Sequence, residues 1–197
     1  MRFSHLHPSY HLSHLLDNYD FGTGECTIVD IGGSDGEVST EIASRYPQIR
    51  CIVQDLPETI ADWTTRVPTS LQDRVTCMAH DFLTPQPVHG ADVYLLRWIL
   101  HDWSDKYCVR ILRNLVPALK KGARVVVNDI CIPEPGELGP KADRDLRYVF
   151  DLFVICFVCV SECLADNSQV HGHRYESVQQ RSRKRCGDVG GAVQGGG

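Results

Sequence analysis

The stretch ADVYLLRWILHDWSD, residues 91–105, decides how this chain is read. An apolar run from Ala91 to Leu100 passes directly into an amphipathic one, the pattern of a buried parallel strand that feeds a helix. In open parallel sheets, ligands bind beyond the carboxyl ends of the strands. His101 stands at that edge, and an imidazole titrates near neutral pH, which suits it to general-base work. Trp98 and Trp103 flank it as candidate apolar walls that exclude water. The competing reading is a histidine that only packs under the next helix, and position alone does not separate the two.

Upstream, the β-branched stretch Thr27–Ile31 runs straight into Gly32-Gly33-Ser34-Asp35-Gly36, and a helical pattern follows with Val38, Ile42 and Ala43 on one face. Glycines at a strand-to-helix turn let a ligand approach the backbone, and the helix N-terminus adds a favourable dipole. The spacing lacks the G-x-G-x-x-G register of dinucleotide-binding turns, and Asp30 precedes the first glycine by two positions. A second buried strand, residues 50–55, ends in Asp55, roughly 20 residues past the glycines, where a carboxylate accepts the ribose hydroxyls of an adenosine ligand. A third, Val75 to Ala79, ends in His80-Asp81-Phe82, an acid and an aromatic at the same sheet edge. Each acid alone reads as a solvated loop residue or a cap. Their occurrence at successive strand ends, in order, is harder to dismiss.

Together the segments VDIGGSDG, IVQDLP, HDF, LLRWILHDWSD and VPALKKGARVVVNDICIPEPG resemble the plant and fungal S-adenosylmethionine-dependent O-methyltransferases, above all the fungal enzymes that methylate phenolic natural products. The resemblance runs from about Met1 to Asp151, and HDWSD is specific to the group. It implies that Gly32, Gly33 and Gly36 face the methionine part of the cofactor. It also implies that Asp55 holds the ribose, that Asp81 and Phe82 hold the adenine, and that Arg97 is a basic cofactor contact. Asp30 and Leu56, beside these positions, join the candidate cofactor-binding set. His101 matches the base that deprotonates an acceptor hydroxyl, and Asp129, at the end of the strand 124–128, matches the acid that orients it, although the family often carries the longer Glu there. The implied cofactor is S-adenosyl-L-methionine and the implied substrate a small aromatic hydroxyl compound of secondary metabolism, with no metal required. A nicotinamide-dependent oxidoreductase is the reading from another class. The glycine register and the absence of a Tyr-x-x-x-Lys set argue against it.

Composition sets the outer bounds. With 197 residues, 43% of them hydrophobic and 23% charged, the chain falls in the soluble single-domain class. A net charge of -5 argues against a nucleic-acid partner. No apolar run reaches the length of a membrane span and Met1–His5 begins no signal-like apolar segment, so the cytoplasm is the expected location. Nine cysteines are scattered, several inside apolar runs, as small buried hydrophobes in a reducing compartment. The histidines at 5, 7, 11 and 14 lack a cysteine or carboxylate in register, and Cys156, Cys159 and Cys163 with His171 and His173 lie partly in an apolar run. Neither set is taken as a metal site.

The expected architecture is α/β: a Rossmann-like sheet in the order 3-2-1-4-5, with strands near 27–32, 50–55, 75–79, 92–98 and 124–131. Helices are expected near 36–46, 57–66, 105–120 and 141–157. Residues 1–26 are read as a remnant of the family's helical dimerisation region, otherwise missing, and 27–152 as the cofactor-binding catalytic domain. After Leu152 the composition changes sharply, as a frame shift or retained intron would produce, and 153–197 is expected to be a divergent, disordered tail. On this reading the family's final β-hairpin is absent, the fifth strand is an unpaired edge, and the alternative function is a non-catalytic fragment that at most binds the cofactor.

Overall fold

Residues 11–63, 66–130 and 153–159 are described by the computed structural model of the protein. Its strands are Cys26–Ile31 (β1), Ile49–Asp55 (β2), Val75–Ala79 (β3), Val93–Arg97 (β4), Arg124–Ile130 (β5) and Phe153–Cys159 (β6), and its α-helices are Ser13–Asn18 (α1), Glu37–Arg45 (α2) and Asp105–Leu115 (α3). One sheet holds all six strands in the order β3-β2-β1-β4-β5-β6. The first five are parallel, as the alternation of strand and helix patterns predicts. The reversal of strand order beside β1 opens the crevice in which such sheets bind ligands.

Alternation along each strand divides the core in two. Ile28, Val53, Val93, Leu95 and Val126 face a cluster completed by α1 and α2, whereas Val29, Ile31, Tyr94, Leu96 and Val125 face Ile111 and Leu115 of α3. Helices therefore cover both faces of a sheet whose central strands are apolar on both sides. Leu15, Leu16, Tyr19 and Phe21, from α1 and the segment after it, are each no more than 6% exposed and belong to the first cluster. The amphipathic run expected after Leu100 folds as the helix α3 with Cys108, Ile111 and Leu115 buried on it, and it gives way to a 3₁₀ turn at Val116–Ala118 where Pro117 sits.

Two expectations are corrected. Residues 57–63 do not form a helix. Thr59 donates to the Leu56 carbonyl and Trp63 to that of Ile60, giving turns with a three-residue span. Thr59 and Ile60 are β-branched and poor helix formers, and the Trp63 ring is drawn into the core under Gly36. The second correction lies at the far edge. Of the helix expected over 141–157, residues 141–152 lie outside the described residues, while 153–159 form β6, antiparallel to β5 with Arg124 opposite Cys159 and Ile130 opposite Phe153. The edge of β5 is thus paired rather than bare, and one strand stands where none was expected. Phe-Val-Ile-Cys-Phe-Val-Cys is β-branched and aromatic, and an open edge of unpaired backbone groups is what such a segment satisfies. The rest of the tail, 160–197, lies outside the described residues.

Candidate active site

The carboxyl ends of β1 to β5 bring the candidate residues to one edge. After β1 the chain turns through Gly32 at φ +69°. The Gly32 and Gly33 amides both donate to the Gln54 carbonyl, at 2.7 and 3.1 Å, which docks the turn against the end of β2. A Cβ on Gly33 would lie 2.7 Å from Cγ of Asp30 and 2.8 Å from Val53, so only glycine fits at that approach. Asp30 itself is buried, and its Oδ2 accepts the Ser39 hydroxyl at 2.7 Å. Burial pushes its carboxyl up to about 6, against the opposing pull of the Ser39 hydrogen bond and the Arg97 charge.

Asp55 ends β2 with its carboxylate held by two amides, Ser34 on Oδ2 at 2.9 Å and Leu56 on Oδ1 at 2.8 Å. The first of these ties the second strand end to the glycine turn. Each oxygen keeps a further lone pair for a ligand hydroxyl. Beyond β3, Asp81 Oδ1 accepts the Leu83 amide at 2.8 Å. The Phe82 ring stands edge-on to Trp103 with centroids 5.6 Å apart, and its carbonyl accepts from the Asn114 amide at 3.1 Å.

Arg97 closes β4. Its Nε donates to Asn128 Oδ1 at 3.0 Å, and its guanidinium lies 5.5 Å from the centre of the Trp98 ring. Burial lowers its basicity, while Asp30, Glu37 and Asp129 act in the other direction. Trp98 has φ +60°, an uncommon conformation for a bulky residue and one that tends to persist at functional sites. Its backbone N–H, donating to the Asn128 carbonyl at 3.0 Å, fixes that bend.

The bend delivers His101 to Asp129. Nδ1 of His101 lies 2.7 Å from Asp129 Oδ1, and Asp129 Oδ2 accepts the amides of Leu100 at 2.8 Å and His101 at 3.2 Å. A carboxylate only accepts, so the hydrogen of the neutral ring resides on Nδ1 and leaves Nε2 as the basic nitrogen. That nitrogen lies 3.3 Å from Oδ1 of the exposed Asp102.

A cavity of about 380 Å³ opens along this edge. From the predicted set, Gly32, Asp55, Leu56, Asp81 and Phe82 line it, and so do Trp98 and Trp103, foreseen as apolar walls. Gly33, Gly36, Asp30, Arg97, His101 and Asp129 are not among its lining residues, and His101 lies 3.3 Å from one that is, Asp102. Sequence reasoning missed His80, Leu83, Ile99 and Asp102 as lining residues, although each adjoins a strand end already singled out. It also missed Ser39 and Asn128, buried polar groups on interior faces that no motif marks.

Comparison with known proteins gives a consistent picture. Residues 6–155 match the O-methyltransferase domain family. A chlorophenol O-methyltransferase of Trichoderma longibrachiatum is 50% identical over 150 residues, covering 74% of this chain and 32% of that protein. Among solved structures, the mitomycin 7-O-methyltransferase superposes with a TM-score of 0.56 at 35% identity, over 62% of this chain and 36% of that one. A methyltransferase of calicheamicin biosynthesis, solved in its form bound to S-adenosylhomocysteine (SAH), does so with a TM-score of 0.56 at 29% identity, over 66% and 38%. The chain spans about a third of the length of the curated relatives it matches.

Proposed function

This chain belongs to the O-methyltransferase domain family, and on that premise we propose that it binds S-adenosylmethionine at the sheet edge and methylates the hydroxyl of a small phenolic compound, with His101 as general base. The observation that carries the reading is the adjacency of two devices at one edge: a cavity bounded by the glycine turn and Asp55, and a histidine held by Asp129 beside it.

The residues fit the cofactor. Gly32 supplies a stretch of wall without a side chain, Asp55 offers free lone pairs to a ribose diol, and Phe82, Leu56 and Leu83 with Asp81 form an apolar pocket with one acid for the base. When bound, S-adenosylmethionine supplies an already activated methyl group on a sulfonium. What remains for the protein is to align an oxygen and remove its proton. A phenol titrates near 10 and imidazole near 6.5, so complete proton transfer before attack would be uphill by roughly 5 kcal/mol. His101 Nε2 therefore takes the proton as the oxygen attacks. Asp129 holds the ring in the tautomer that leaves Nε2 free, and its charge stabilises the imidazolium that forms. Trp98 and Trp103 exclude water from the approach.

A phenolic acceptor is favoured by the aromatic walls of the cavity and by the activity named for the chlorophenol relative. The test is titration with S-adenosylmethionine and its demethylated product, followed by transfer of labelled methyl to a panel of chlorinated and unsubstituted phenols. Binding of both forms and label in the phenol ether are expected. Binding of NAD with equal affinity, or no binding of either S-adenosyl form, would overturn the reading.

A further inference from the structure

Two buried glutamines close to the cavity form a hydrogen-bonded pair that the mechanism leaves unused. We propose that Gln54 and Gln86 are positioning residues: their paired carboxamides set the spacing between two parts of the cavity wall and so govern cofactor affinity without touching the cofactor. This rests on the reading of the cavity as the S-adenosylmethionine site.

The two side chains exchange hydrogen bonds, Nε2 of each donating to Oε1 of the other at 2.8 Å. Both residues are buried, and neither is among those lining the cavity. The Val88 amide, which can only donate, lies 2.9 Å from Gln86 Oε1 and so fixes which end of that carboxamide is oxygen. The reciprocal pair then has a single orientation. Each glutamine serves a different part of the wall. The Gln54 carbonyl holds the Gly32 and Gly33 amides, and the next residue is Asp55, so its backbone anchors the lining residues Gly32 and Asp55. Gln86 follows the lining residues Asp81, Phe82 and Leu83, after a turn in which the Thr84 amide donates to the Asp81 carbonyl at 2.9 Å. The two parts meet closely, since a Cβ on Gly32 would lie 3.6 Å from the Phe82 ring. Residues 82–88 are neither helix nor strand, so no ladder places them. The His80 amide fixes their start on the Asp55 carbonyl at 2.9 Å, and the glutamine pair fixes the far end. Pro85 and Pro87 flank Gln86, stiffen the segment and carry no N–H. The Gln86 amide between them is spent on the Asn114 carbonyl of α3 at 3.0 Å, and Asn114 Nδ2 donates to the Phe82 carbonyl at 3.1 Å. Directional bonds of this kind select one arrangement where apolar contacts of equal volume permit several.

The experiment pairs thermal melting with SAH titration below every melting transition, for the parent, Gln86→Met, the double variant Gln54→Met with Gln86→Met, Arg74→Met and Asp55→Asn. Arg74 donates to the Ala43 and Ile49 carbonyls at 2.8 and 3.2 Å, at the start of β2 and away from the cavity, and serves as a stability control. Gln86→Met leaves the Gln54 carboxamide buried and unpaired, so it should lower the melting temperature and weaken SAH by about tenfold. Methionine at both positions removes both polar partners, so the melting temperature should return most of the way to the parent's while SAH stays about tenfold weaker. Arg74→Met should melt lower with its affinity little changed. Parental affinity in the double variant, while Asp55→Asn weakens SAH, overturns the proposal and leaves the cavity reading standing. A loss of affinity in Arg74→Met that matches its loss of melting temperature also overturns it, because general stability then accounts for the effect. Parental affinity in both the double variant and Asp55→Asn means that the cavity does not hold the cofactor, and both readings fall.

Discussion

At the scale of single residues, the site sets one histidine against one carboxylate and hides another acid beneath it. His101 contacts the acceptor oxygen in the proposed mechanism, not the cofactor. Its replacement by Ala should therefore lower turnover by about 10²–10⁴ while the S-adenosylmethionine dissociation constant changes little. Turnover within a few-fold of the parent would make His101 a packing residue. Asp129 is bound differently, because its second oxygen also accepts two backbone amides. Asp129→Ala should unfold the turn at 100–102 as well as impair catalysis, whereas Asp129→Asn keeps the shape and removes the charge. The Asn variant should fold normally, with turnover reduced and a changed pH–rate profile; an unaltered profile would exclude a role in tuning the base. Asp30 makes a prediction in pH. Its folded pKa of about 6 lies above the unfolded value of about 3.9, so the folded state binds the proton more tightly between them. The stability this supplies is present below about pH 4 and lost as pH rises through 6, a change of order 3 kcal/mol in the cofactor-free protein. Denaturant melts of the parent and Asp30→Asn across pH 4–7 measure it, since the difference between the curves removes the other carboxylates. A constant difference would mean that burial does not perturb Asp30.

At the scale of elements, sequence and structure agree where local pattern and tertiary demand coincide. β1 to β5 were legible to within a residue or two because each is a β-branched or apolar run closed by a turn residue or an acid, and the amphipathic run after Leu100 marked α3. The segment 57–63 was not legible, since its spacing of apolar residues fits a helix but Thr59, Ile60 and the pull of Trp63 into the core favour turns. Nor was β6, because an apolar run has no visible period and its partner, β5, is distant in sequence. The site divides along the same line. Asp55, Asp81, Phe82 and His101 were marked by their place after strands. Trp98's left-handed backbone and the Asn128 contact to Arg97 arise only from packing across β4 and β5. The glycine turn supplies the prediction at this scale. Gly33→Ala would drive a methyl into Asp30 and Val53, forcing the turn away from the Gln54 carbonyl. It should destabilise the fold by about 1–3 kcal/mol and weaken SAH binding beyond what that loss alone explains. Binding equal to the parent's in the still-folded variant would show that the turn does not shape the pocket.

At the scale of the whole molecule, the sheet closes one side with a strand whose identity composition alone obscured. β5 carries Asp129 at its carboxyl end, and every backbone group on its outer edge would otherwise face solvent or another chain. Pairing with β6 over seven residues, from Arg124 opposite Cys159 to Ile130 opposite Phe153, covers that edge and holds the end of β5 at the site. A chain ending at residue 152 should therefore keep its parallel strands and its helical circular-dichroism signal. It should melt at lower temperature and self-associate through the bared edge, with light scattering that rises with concentration. The loss should also reach the site: with Asp129 less firmly placed, methyl transfer should fall more than SAH affinity, which depends on β1 to β3 at the other side of the sheet. Equal melting temperature and scattering in the shortened chain would mean that β6 does not cover the edge. An equal fall in affinity and turnover would mean that β6 supports the sheet as a whole and not the placement of Asp129.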